Sequence, residues 1–332
     1  AETGLTPRAS TYSEDDKRRL HRASGSRRAI VTQSAAPAGA GKAVLNEEDF
    51  PMPSQHEKAL RFRALHDAPG AFVIPNVWDG GSAGLMAGLG FAALATSSSA
   101  AAATLGKLDG GLTRAEALAH AALIASLTAL PVAADLENGF GHAPEAAAET
   151  IRLAAASGLV GASIEDASGD ARTPLYEFDH AVERITAAVQ AARAVPFPFT
   201  LTARAENFLH ERPDLADTIR RLQAFEGAGA DVLFAPGLPD LEAVRRVCAA
   251  LKKPVNFMVG MRAQCFSLAE LAAAGVKRVS LSTTLYRAAM TGVLAAGTEA
   301  RAGRFGYVES LMSGAELGRY LRQQAQAISA ER

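Results

Sequence analysis

The chain has 332 residues, of which 48% are hydrophobic, and a formal net charge of −1. The near-neutral charge excludes binding to nucleic acid or an anionic membrane by bulk electrostatics. The longest apolar stretch, Ala115–Ala134, contains a glutamate, a histidine and a proline, so it does not predict a membrane span. With two cysteines the chain has no disulfide framework, which favours a reducing, cytoplasmic compartment.

The first 51 residues differ from the rest of the chain. They contain the charged run Glu14–Arg19 and the Ala/Gly/Ser-rich stretch Ser34–Gly41, with few large apolar side chains. Such a segment buries little surface, so we predict a disordered extension over 1–51, a natural start at Met52 and one domain over 52–332. A transit peptide is the alternative, but such peptides are poor in acidic residues and this segment has several.

From Phe72 onward, short apolar runs rich in Val, Ile, Ala and Thr alternate with longer helical patterns. The predicted strands are Phe72–Val77, Ala92–Ser98, Val132–Leu136, Ala162–Asp166, Thr200–Ala205, Val232–Pro236, Val255–Val259 and Arg278–Ser282. The predicted helices are Gly81–Ala87, Arg114–Leu127, Pro144–Ala156, Glu177–Ala192, Leu215–Ala228, Leu241–Leu251, Leu268–Ala273, Leu285–Ala296 and Ser313–Gln324. Four of them follow a capping residue, namely Thr113, Asp214, Asp240 or Ser267.

Eight strands that each precede a helix indicate parallel β–α–β units, and we predict an α/β fold of the (β/α)8 TIM-barrel type. A doubly wound open sheet is the rival fold. It usually has a glycine-rich phosphate loop after its first strand, and the segment Gly80–Gly84 does not match that pattern. The barrel is therefore the favoured prediction.

Polar and charged residues follow most of the predicted strands, where barrel enzymes carry their active sites. In chain order these candidates are Asn76, Ser97, Ser98, Asp109, Asp135, Glu137, Glu165, Arg204 and Asn256. Several carboxylates on one rim would repel each other without a cation. Oxygen ligands without a His or Cys cluster favour Mg²⁺, with Mn²⁺ as the alternative.

Individual roles follow from spacing and chemistry. Asp135 and Glu137 are two residues apart, so strand geometry predicts that their side chains leave the same face. Arg204 is a candidate clamp for a substrate carboxylate, although it could simply neutralise a neighbouring glutamate. His142 is a candidate general acid or base, and its alternative interpretation is a solvated loop residue.

At this point the sequence resembles the isocitrate lyase/phosphoenolpyruvate mutase superfamily, over roughly Phe62 to Tyr307. The resemblance rests on Pro75–Ala83, on Leu105-Gly106 with Asp109-Gly110, on Ala134–Gly141, on Ser163–Asp166 and on Thr202–Arg204. Together these segments are specific, whereas any one alone is a weak signal.

The resemblance implies roles for the candidate residues. Asp135 corresponds to the direct Mg²⁺ ligand, and Asp109, Glu137 and Glu165 to acids that hold the metal's waters. Arg204 corresponds to the substrate-binding arginine, and the pair Ser97 and Ser98 to the loop that binds a substrate carboxylate or phosphonate. The family's chemistry passes through a metal-stabilised enolate. Its fold implies a terminal helix, here Ser313–Gln324, that swaps onto a partner to give homodimers or homotetramers.

Departures from the family pattern narrow the reaction. Isocitrate-type lyases carry a Lys-x-Cys-Gly-His stretch after the fourth strand, where this chain has Ala167–Tyr176 without a cysteine, lysine or histidine. The longer gating loop of the mutases and phosphonopyruvate hydrolases is absent too. Glu137 also stands where the family usually has aspartate. Candidates for the missing proton donor are Arg172, Tyr176, His142 and a metal-bound water.

These observations predict a Mg²⁺-dependent lyase or decarboxylase that cleaves a C–C bond of a small 2-oxo or 2-hydroxy carboxylate. The first alternative is C–P chemistry, as in phosphoenolpyruvate or carboxyphosphonoenolpyruvate mutases and phosphonopyruvate hydrolases. The second is a binding protein for a metal and an oxo acid that has lost the general acid.

Overall fold

The computed structural model describes residues 52–261 and 265–330, and the predicted extension over 1–51 lies outside these ranges. The strands are β1 (Phe72–Ile74), β2 (Asn76–Val77), β3 (Leu94–Thr96), β4 (Val132–Asp135), β5 (Gly161–Glu165), β6 (Thr200–Arg204), β7 (Val232–Phe234), β8 (Val255–Met258) and β9 (Arg278–Ser280). The helices are α1 (Gln55–Asp67), α2 (Gly80–Gly88), α3 (Ser98–Thr104), α4 (Arg114–Ser126), α5 (Pro144–Ala156), α6 (Phe178–Ala194), α7 (Leu215–Gly227), α8 (Leu241–Ala249), α9 (Leu268–Ala273), α10 (Thr284–Arg301) and α11 (Gly314–Ala330).

The strands form one parallel sheet in the order β1-β9-β8-β7-β6-β5-β4-β3-β2. The sheet closes because β1 and β2 are two halves of the first barrel strand. Val73 pairs with Val279 on one side, and Val77 pairs with Thr96 on the other. Pro75 separates the halves because it has no N–H to donate, although its carbonyl still accepts from Ala95 N at 2.9 Å. The predicted (β/α)8 fold is confirmed.

Local capping explains where several helices begin. Thr113, Asp214, Asp240 and Ser267 each accept a hydrogen bond from the backbone N–H three residues on, as the sequence predicts. These bonds satisfy N–H groups that a helix leaves without intrahelical partners.

Helix α1 was not predicted, and it covers the amino-terminal end of the barrel. Its apolar side chains Ala59 and Phe62 are fully buried beside Ile74 of β1. Gln55 Nε2 donates to the carbonyls of Ala155 and Leu159 at 2.7 and 2.8 Å. Because polar side chains such as Gln55 make part of its contacts, the helix lacks the regular apolar periodicity on which sequence prediction depends.

The last two helices differ in how they pack. Helix α10, the eighth helix of the barrel series, has no buried residue, and its Val293 and Leu294 side chains are 63% and 72% exposed. Helix α11 instead packs on α2 of the same chain, where a Cβ on Gly88 would lie 2.7 Å from the Tyr320 carbonyl oxygen. The swap of the terminal helix onto a partner stays a prediction. Within residues 52–261 and 265–330, no helix has the length and apolar character needed to cross a bilayer.

Asn76 holds the barrel together at the break in its first strand. Its Nδ2 donates to the Thr96 carbonyl at 2.7 Å, and its Oδ1 accepts from Leu281 N at 2.8 Å. Replacing it in an Asn76→Leu variant leaves both buried backbone groups unpaired, so we expect the free energy of unfolding to fall by about 2 to 3 kcal/mol in urea titrations. The control is Gln223→Leu, which removes one exposed hydrogen bond from the Gln223 amide to the Ala250 carbonyl. Its free energy of unfolding should fall by less than about 0.5 kcal/mol. Unchanged stability in Asn76→Leu would contradict this structural role.

Because His66 is buried, we expect the free energy of unfolding to fall in acid. Its side chain packs between Phe62 and Phe72, and burial, with a smaller contribution from Arg278, lowers its pKa to about 3. The unfolded chain, with a pKa of about 6.5, binds the proton first, so stability falls as pH drops below about 6.5. At pH 4.5 this group alone costs about 2.5 kcal/mol relative to pH 7.

The measurement compares the free energy of unfolding at pH 7 and pH 4.5 in wild type and in His66→Gln. The variant should lose about 2 to 3 kcal/mol less than wild type on acidification. His56→Gln, which removes an exposed histidine from the same helix, should behave as wild type. Equal losses in wild type and His66→Gln would refute the assignment.

Candidate active site

A cavity of about 190 Å³ opens at the carboxyl ends of the strands and runs into the barrel. Seven of the ten predicted site residues line it, namely Asn76, Ser97, Ser98, Asp109, Asp135, Arg204 and Asn256. The other three, Glu137, Glu165 and His142, lie outside its lining. The structure thus brings together candidates that are up to 180 residues apart in sequence, because the carboxyl ends of parallel strands meet at one face.

Asp135 is held by residues of two neighbouring elements. It is the last residue of β4, and its Oδ2 accepts from Ser98 Oγ at 2.9 Å and from Ser98 N at 3.3 Å. Its Oδ1 accepts from Ser163 Oγ at 3.2 Å and lies 3.5 Å from Arg204 Nη1. These bonds fix the orientation of the carboxylate. Ser163 belongs to the family segment Ser163–Asp166, and its contact with Asp135 follows from the register of β4 with β5.

The two predicted serines do different work in the structure. Ser97 caps α3, and its Oγ accepts from Ala100 N at 3.3 Å. Ser98 uses both its backbone N–H and its hydroxyl on Asp135. The expectation that these hydroxyls hold a second anionic group therefore stays a prediction, and both side chains already have partners within the chain.

Arg204 lies among three carboxylates. Its Nε contacts Glu206 Oε1, and its Nη1 lies 3.3 Å from Glu165 Oε2 and 3.5 Å from Asp135 Oδ1. Burial alone would lower the pKa of this guanidinium, but Glu206, Glu165 and Asp135 raise it above its ordinary value. Arg204 was predicted either to bind a substrate carboxylate or to neutralise a neighbouring glutamate. Its position is compatible with both roles, because it lines the cavity and also pairs with Glu165 and Glu206. Among the described residues, none of these three ion pairs uses its Nη2.

Glu165 and Glu137 are acids with raised pKa values. Burial is the main cause at Glu165, where the pKa lies well above its ordinary value despite the opposing effect of Arg204. Burial, then the charges of Asp135 and Asp109, raise the pKa of Glu137 to about 7. Glu137 Oε1 is buried and has no hydrogen-bond partner among the described residues. Such an orphaned oxygen in an acidic cluster is suited to a cation or an ordered water.

The prediction that Asp135 and Glu137 leave one face of a strand was wrong. Strand β4 ends at Asp135, and Glu137 has a left-handed backbone with φ of 49°. The two-residue alternation of side chains applies only within a strand. Glu137 stays close enough to Asp135 and Asp109 for their charges to raise its pKa, but it does not line the cavity.

Asp166 lies outside the cavity lining and supports Glu206, one of the carboxylates that contact Arg204. Its Oδ1 accepts from Glu206 N at 2.8 Å, and its Oδ2 lies 3.0 Å from Arg221 Nη1. Burial raises its pKa to about 6, and these two contacts oppose that rise. The pair therefore fixes the backbone that carries Glu206, which in turn orients Arg204.

His142 belongs to a separate cluster beside the rim. Its Nδ1 shares a 3.0 Å hydrogen bond with the hydroxyl of Tyr176, whose oxygen also accepts from Asn138 Nδ2 at 3.3 Å. The buried guanidinium of Arg184 lies 4.3 Å from the centre of the Tyr176 ring and donates to carbonyls of the loop that carries His142. This cluster holds the loop after β4. A catalytic role for His142 stays a prediction.

The short segment after β5 is folded back on itself. Ala167 and Leu175 form an antiparallel bridge, and Arg172 pairs with Asp170 at 2.8 Å. The Arg172 side chain is 88% exposed, and no residue from Ala167 to Tyr176 lines the cavity. Two of the candidate proton donors, Arg172 and Tyr176, therefore lie away from the cavity in this conformation.

The acidic rim fits a magnesium ion that keeps much of its water. In the described ranges no three side chains of His, Cys, Asp or Glu converge closely enough to enclose a metal. Mg²⁺ does not require such a cage, because it usually takes one or two carboxylates and retains several waters. Asp135 in the cavity, Asp109 beside it and the orphaned Glu137 Oε1 form a suitable set of oxygen donors.

A parallel barrel with acids and an arginine at the carboxyl ends of its strands is typical of barrel enzymes. The family model of phosphoenolpyruvate phosphomutase matches residues 62–301 of this chain. The chain belongs to this family.

Three relatives illustrate the range of the family. An oxaloacetate decarboxylase of Ectopseudomonas mendocina (strain ymp) is 31% identical over 244 residues, which are 71% of this chain and 82% of the relative. A crystal structure from Burkholderia cenocepacia J2315, named provisionally as a lyase/mutase, is 54% identical with a TM-score of 0.78, covering 80% of this chain and 96% of that one. The structure of 2,3-dimethylmalate lyase, a member of the PEP mutase/isocitrate lyase superfamily, is 28% identical with a TM-score of 0.72, covering 82% and 98%.

Proposed function

We propose that this protein is a Mg²⁺-dependent lyase that cleaves a C–C bond of a small 2-oxo or 2-hydroxy carboxylate. The observation that carries the proposal is the cavity in which the fixed carboxylate of Asp135 faces the guanidinium of Arg204. A carbonyl compound with a carboxylate fits this pairing of a metal-binding acid with a cation.

The side chains that line the cavity favour decarboxylation over cleavage of a hydroxy acid. Among the described residues its titratable lining consists of Asp109, Asp135, Arg204 and Arg278, without histidine, cysteine, tyrosine or lysine. Cleavage of a 2-hydroxy acid needs a base for the hydroxyl proton and an acid for the carbanion. Loss of CO₂ needs neither a base nor a protonated leaving group, and water can protonate the enolate afterwards.

Each residue of the proposed site would have its own role. Asp135 would hold the metal directly, and Asp109, Glu137 and Glu165 would hold its waters. Bound there, Mg²⁺ supplies Lewis-acid stabilisation of the negative charge that develops on the carbonyl oxygen. Ser98 and Ser163 keep Asp135 in one orientation, and Arg204 offers Nη2 to the substrate.

A substrate panel tests the proposal. Purified protein with Mg²⁺ is incubated with oxaloacetate, with C-methylated 2-hydroxy diacids and with phosphonopyruvate, and pyruvate or another 2-oxo acid is measured. The names of the relatives, oxaloacetate decarboxylase and 2,3-dimethylmalate lyase, support the first two choices. We expect turnover of a 2-oxo diacid that EDTA abolishes and Mg²⁺ or Mn²⁺ restores. Full activity in EDTA would refute the metal's role.

C–P chemistry is the second candidate function, and the phosphomutase name of the matching family favours it. Phosphorus NMR separates the two, because only a mutase or hydrolase changes the phosphorus signal of phosphonopyruvate. Tight binding of oxalate without turnover of any panel member would instead favour a binding protein. The lack of a general acid among the described lining residues motivates that outcome.

We also infer that copies of this chain associate through α10, as homodimers or homotetramers. No residue of the helix is fully buried, and Met290, Val293 and Leu294 are 39%, 63% and 72% exposed. An apolar face of this kind is typical of an oligomer interface. Sedimentation equilibrium should give at least twice the chain mass, and a Val293→Glu, Leu294→Glu variant should reduce it to that of one chain. A monomeric wild type would contradict the inference.

A further inference from the structure

A second arginine lines the cavity, one layer of side chains below Arg204. Arg278 is the first residue of β9 and is 6% exposed. Its Nε donates to Asn256 Oδ1 at 2.7 Å, and its Nη2 donates to Thr202 Oγ1 at 2.9 Å. Its Nη1 lies 3.4 Å from His66 Nε2. Thr202 lies two residues before Arg204 on β6, a strand rise of about 7 Å, so Arg278 contacts this strand below the point where Arg204 leaves it.

All three partners of Arg278 are neutral. His66 Nδ1 lies 2.8 Å from the Phe62 carbonyl, which can only accept, so the ring proton is on Nδ1 and Nε2 accepts from Arg278. No described carboxylate forms an ion pair with Arg278, whereas Arg204 has three such partners. Burial lowers the pKa of Arg278 to about 9, so the group remains charged at neutral pH.

A buried cation without a counter-ion is costly to the folded state, and such groups are usually paired. The chain also leaves space above it. Ala95, Ala133 and Ala162 line the cavity at positions where barrel interiors usually carry Val, Ile or Leu. The cavity therefore reaches from the Asp135 rim down to the Arg278 guanidinium, which has N–H groups left for an anion.

We propose that Arg278 binds a carboxylate of the substrate at the floor of the cavity, and that this contact makes the enzyme selective for small dicarboxylates over monocarboxylates. The proposal rests on the proposed function and names the substrate group that the deeper cation takes. One carboxylate would lie at Arg278 and the reacting end at the rim beside Asp135 and Arg204, where three carboxylates already offset the charge of Arg204.

The carboxylate at Arg278 is one that the reaction retains. A carboxylate that leaves as CO₂ loses its charge in the transition state, so a full cation beside it would stabilise the ground state more and slow the reaction. A retained carboxylate keeps its charge throughout, and binding energy there positions the substrate without opposing the chemistry. Asn256, a predicted substrate-binding residue, then acts as a positioning residue because its Oδ1 orients Arg278.

The test measures binding of malonate, acetate and chloride at equal ionic strength and with excess Mg²⁺, by calorimetry. Wild type, Arg278→Gln and Arg278→Lys are compared with Lys277→Gln, which removes the adjacent, half-buried charge outside this cavity. Wild type and Lys277→Gln should prefer malonate to acetate. Arg278→Gln should bind malonate on the order of 100-fold more weakly. Arg278→Lys, which keeps the charge but not the planar fork, should lie between and serves if Arg278→Gln does not fold.

Two results of the binding experiment would overturn the proposal. One is unchanged malonate binding in both Arg278 variants, which would leave the arginine a purely internal support. The other is binding of chloride as tight as that of malonate, which would make the site a halide site. Turnover of a 2-oxo diacid with an unchanged KM in Arg278→Gln would also reject the inference while leaving the proposed function intact. Selective malonate binding by wild type without turnover of any substrate would reject the proposed function and leave the carboxylate site at Arg278 intact.

Discussion

An Asp135→Asn variant should fold normally and lose at least about 10³-fold in kcat/KM on whichever substrate the panel identifies. The amide keeps the shape of the side chain. Its oxygen can still accept from Ser98, and its NH₂ group can donate to the Ser163 hydroxyl, so the local geometry survives. It removes the negative charge that would hold the metal. The measurement is steady-state kinetics at saturating Mg²⁺, with the circular dichroism spectrum and thermal midpoint as checks on folding.

Substitutions of two further acids should reduce activity less than Asp135→Asn does. Asp109→Asn and Glu137→Gln should cost about 10- to 100-fold, because groups that act through the metal's waters contribute less than a direct ligand. Asp231→Asn is the control, since this acid pairs with Arg193 at 2.7 Å, away from the cavity. It should keep wild-type kinetics. If Asp135→Asn retained more than a tenth of wild-type activity, the metal site would have to be elsewhere.

The sequence was sufficient for the architecture because the pattern of apolar strands and capped helices is local. Helices α5 and α9 have the predicted bounds, and each other predicted barrel helix is found within a few residues. Helix α3 was not predicted, and Ser98, its first residue, was assigned to the preceding strand. The strand break at Pro75 and helix α1 were missed as well. Both depend on contacts with distant parts of the chain, such as the bond from Leu281 N to Asn76, that no short window of sequence contains.

In the candidate site, too, features set by local sequence were predicted, and features set by distant contacts were not. Asp135, Arg204 and Ser98 meet as expected, because position at a strand end suffices to place them. Glu137 was misplaced because its left-handed backbone was invisible in the pattern. Arg278 was predicted only as the start of a strand. Its significance depends on the small side chains across the barrel and on the absence of a described acid nearby, which are properties of the assembled core.

An Arg204→Met variant should lose stability as well as activity, by about 3 to 5 kcal/mol in the free energy of unfolding. Asp135, Glu165 and Glu206 would remain in one buried cluster without the cation that neutralises them. Removing one member of a buried ionic cluster is costly because the charges left behind are desolvated and unpaired. Arg152→Met, which breaks an exposed pair with Glu149, should cost less than about 1 kcal/mol.

The pH dependence of Arg204→Met separates this electrostatic cause from a loss of packing. Without the arginine, the pKa values of the Glu165 cluster should rise further above those of the unfolded chain, because Arg204 now opposes the rise at Glu165. A group whose folded pKa is raised stabilises the fold at low pH and loses that contribution as pH rises through the folded pKa. The stability deficit of the variant relative to wild type should therefore shrink between pH 8 and pH 5 in urea titrations. A deficit that stays constant over this range would mean that Arg204 supports the barrel by its volume and its contact with Phe234 rather than by its charge.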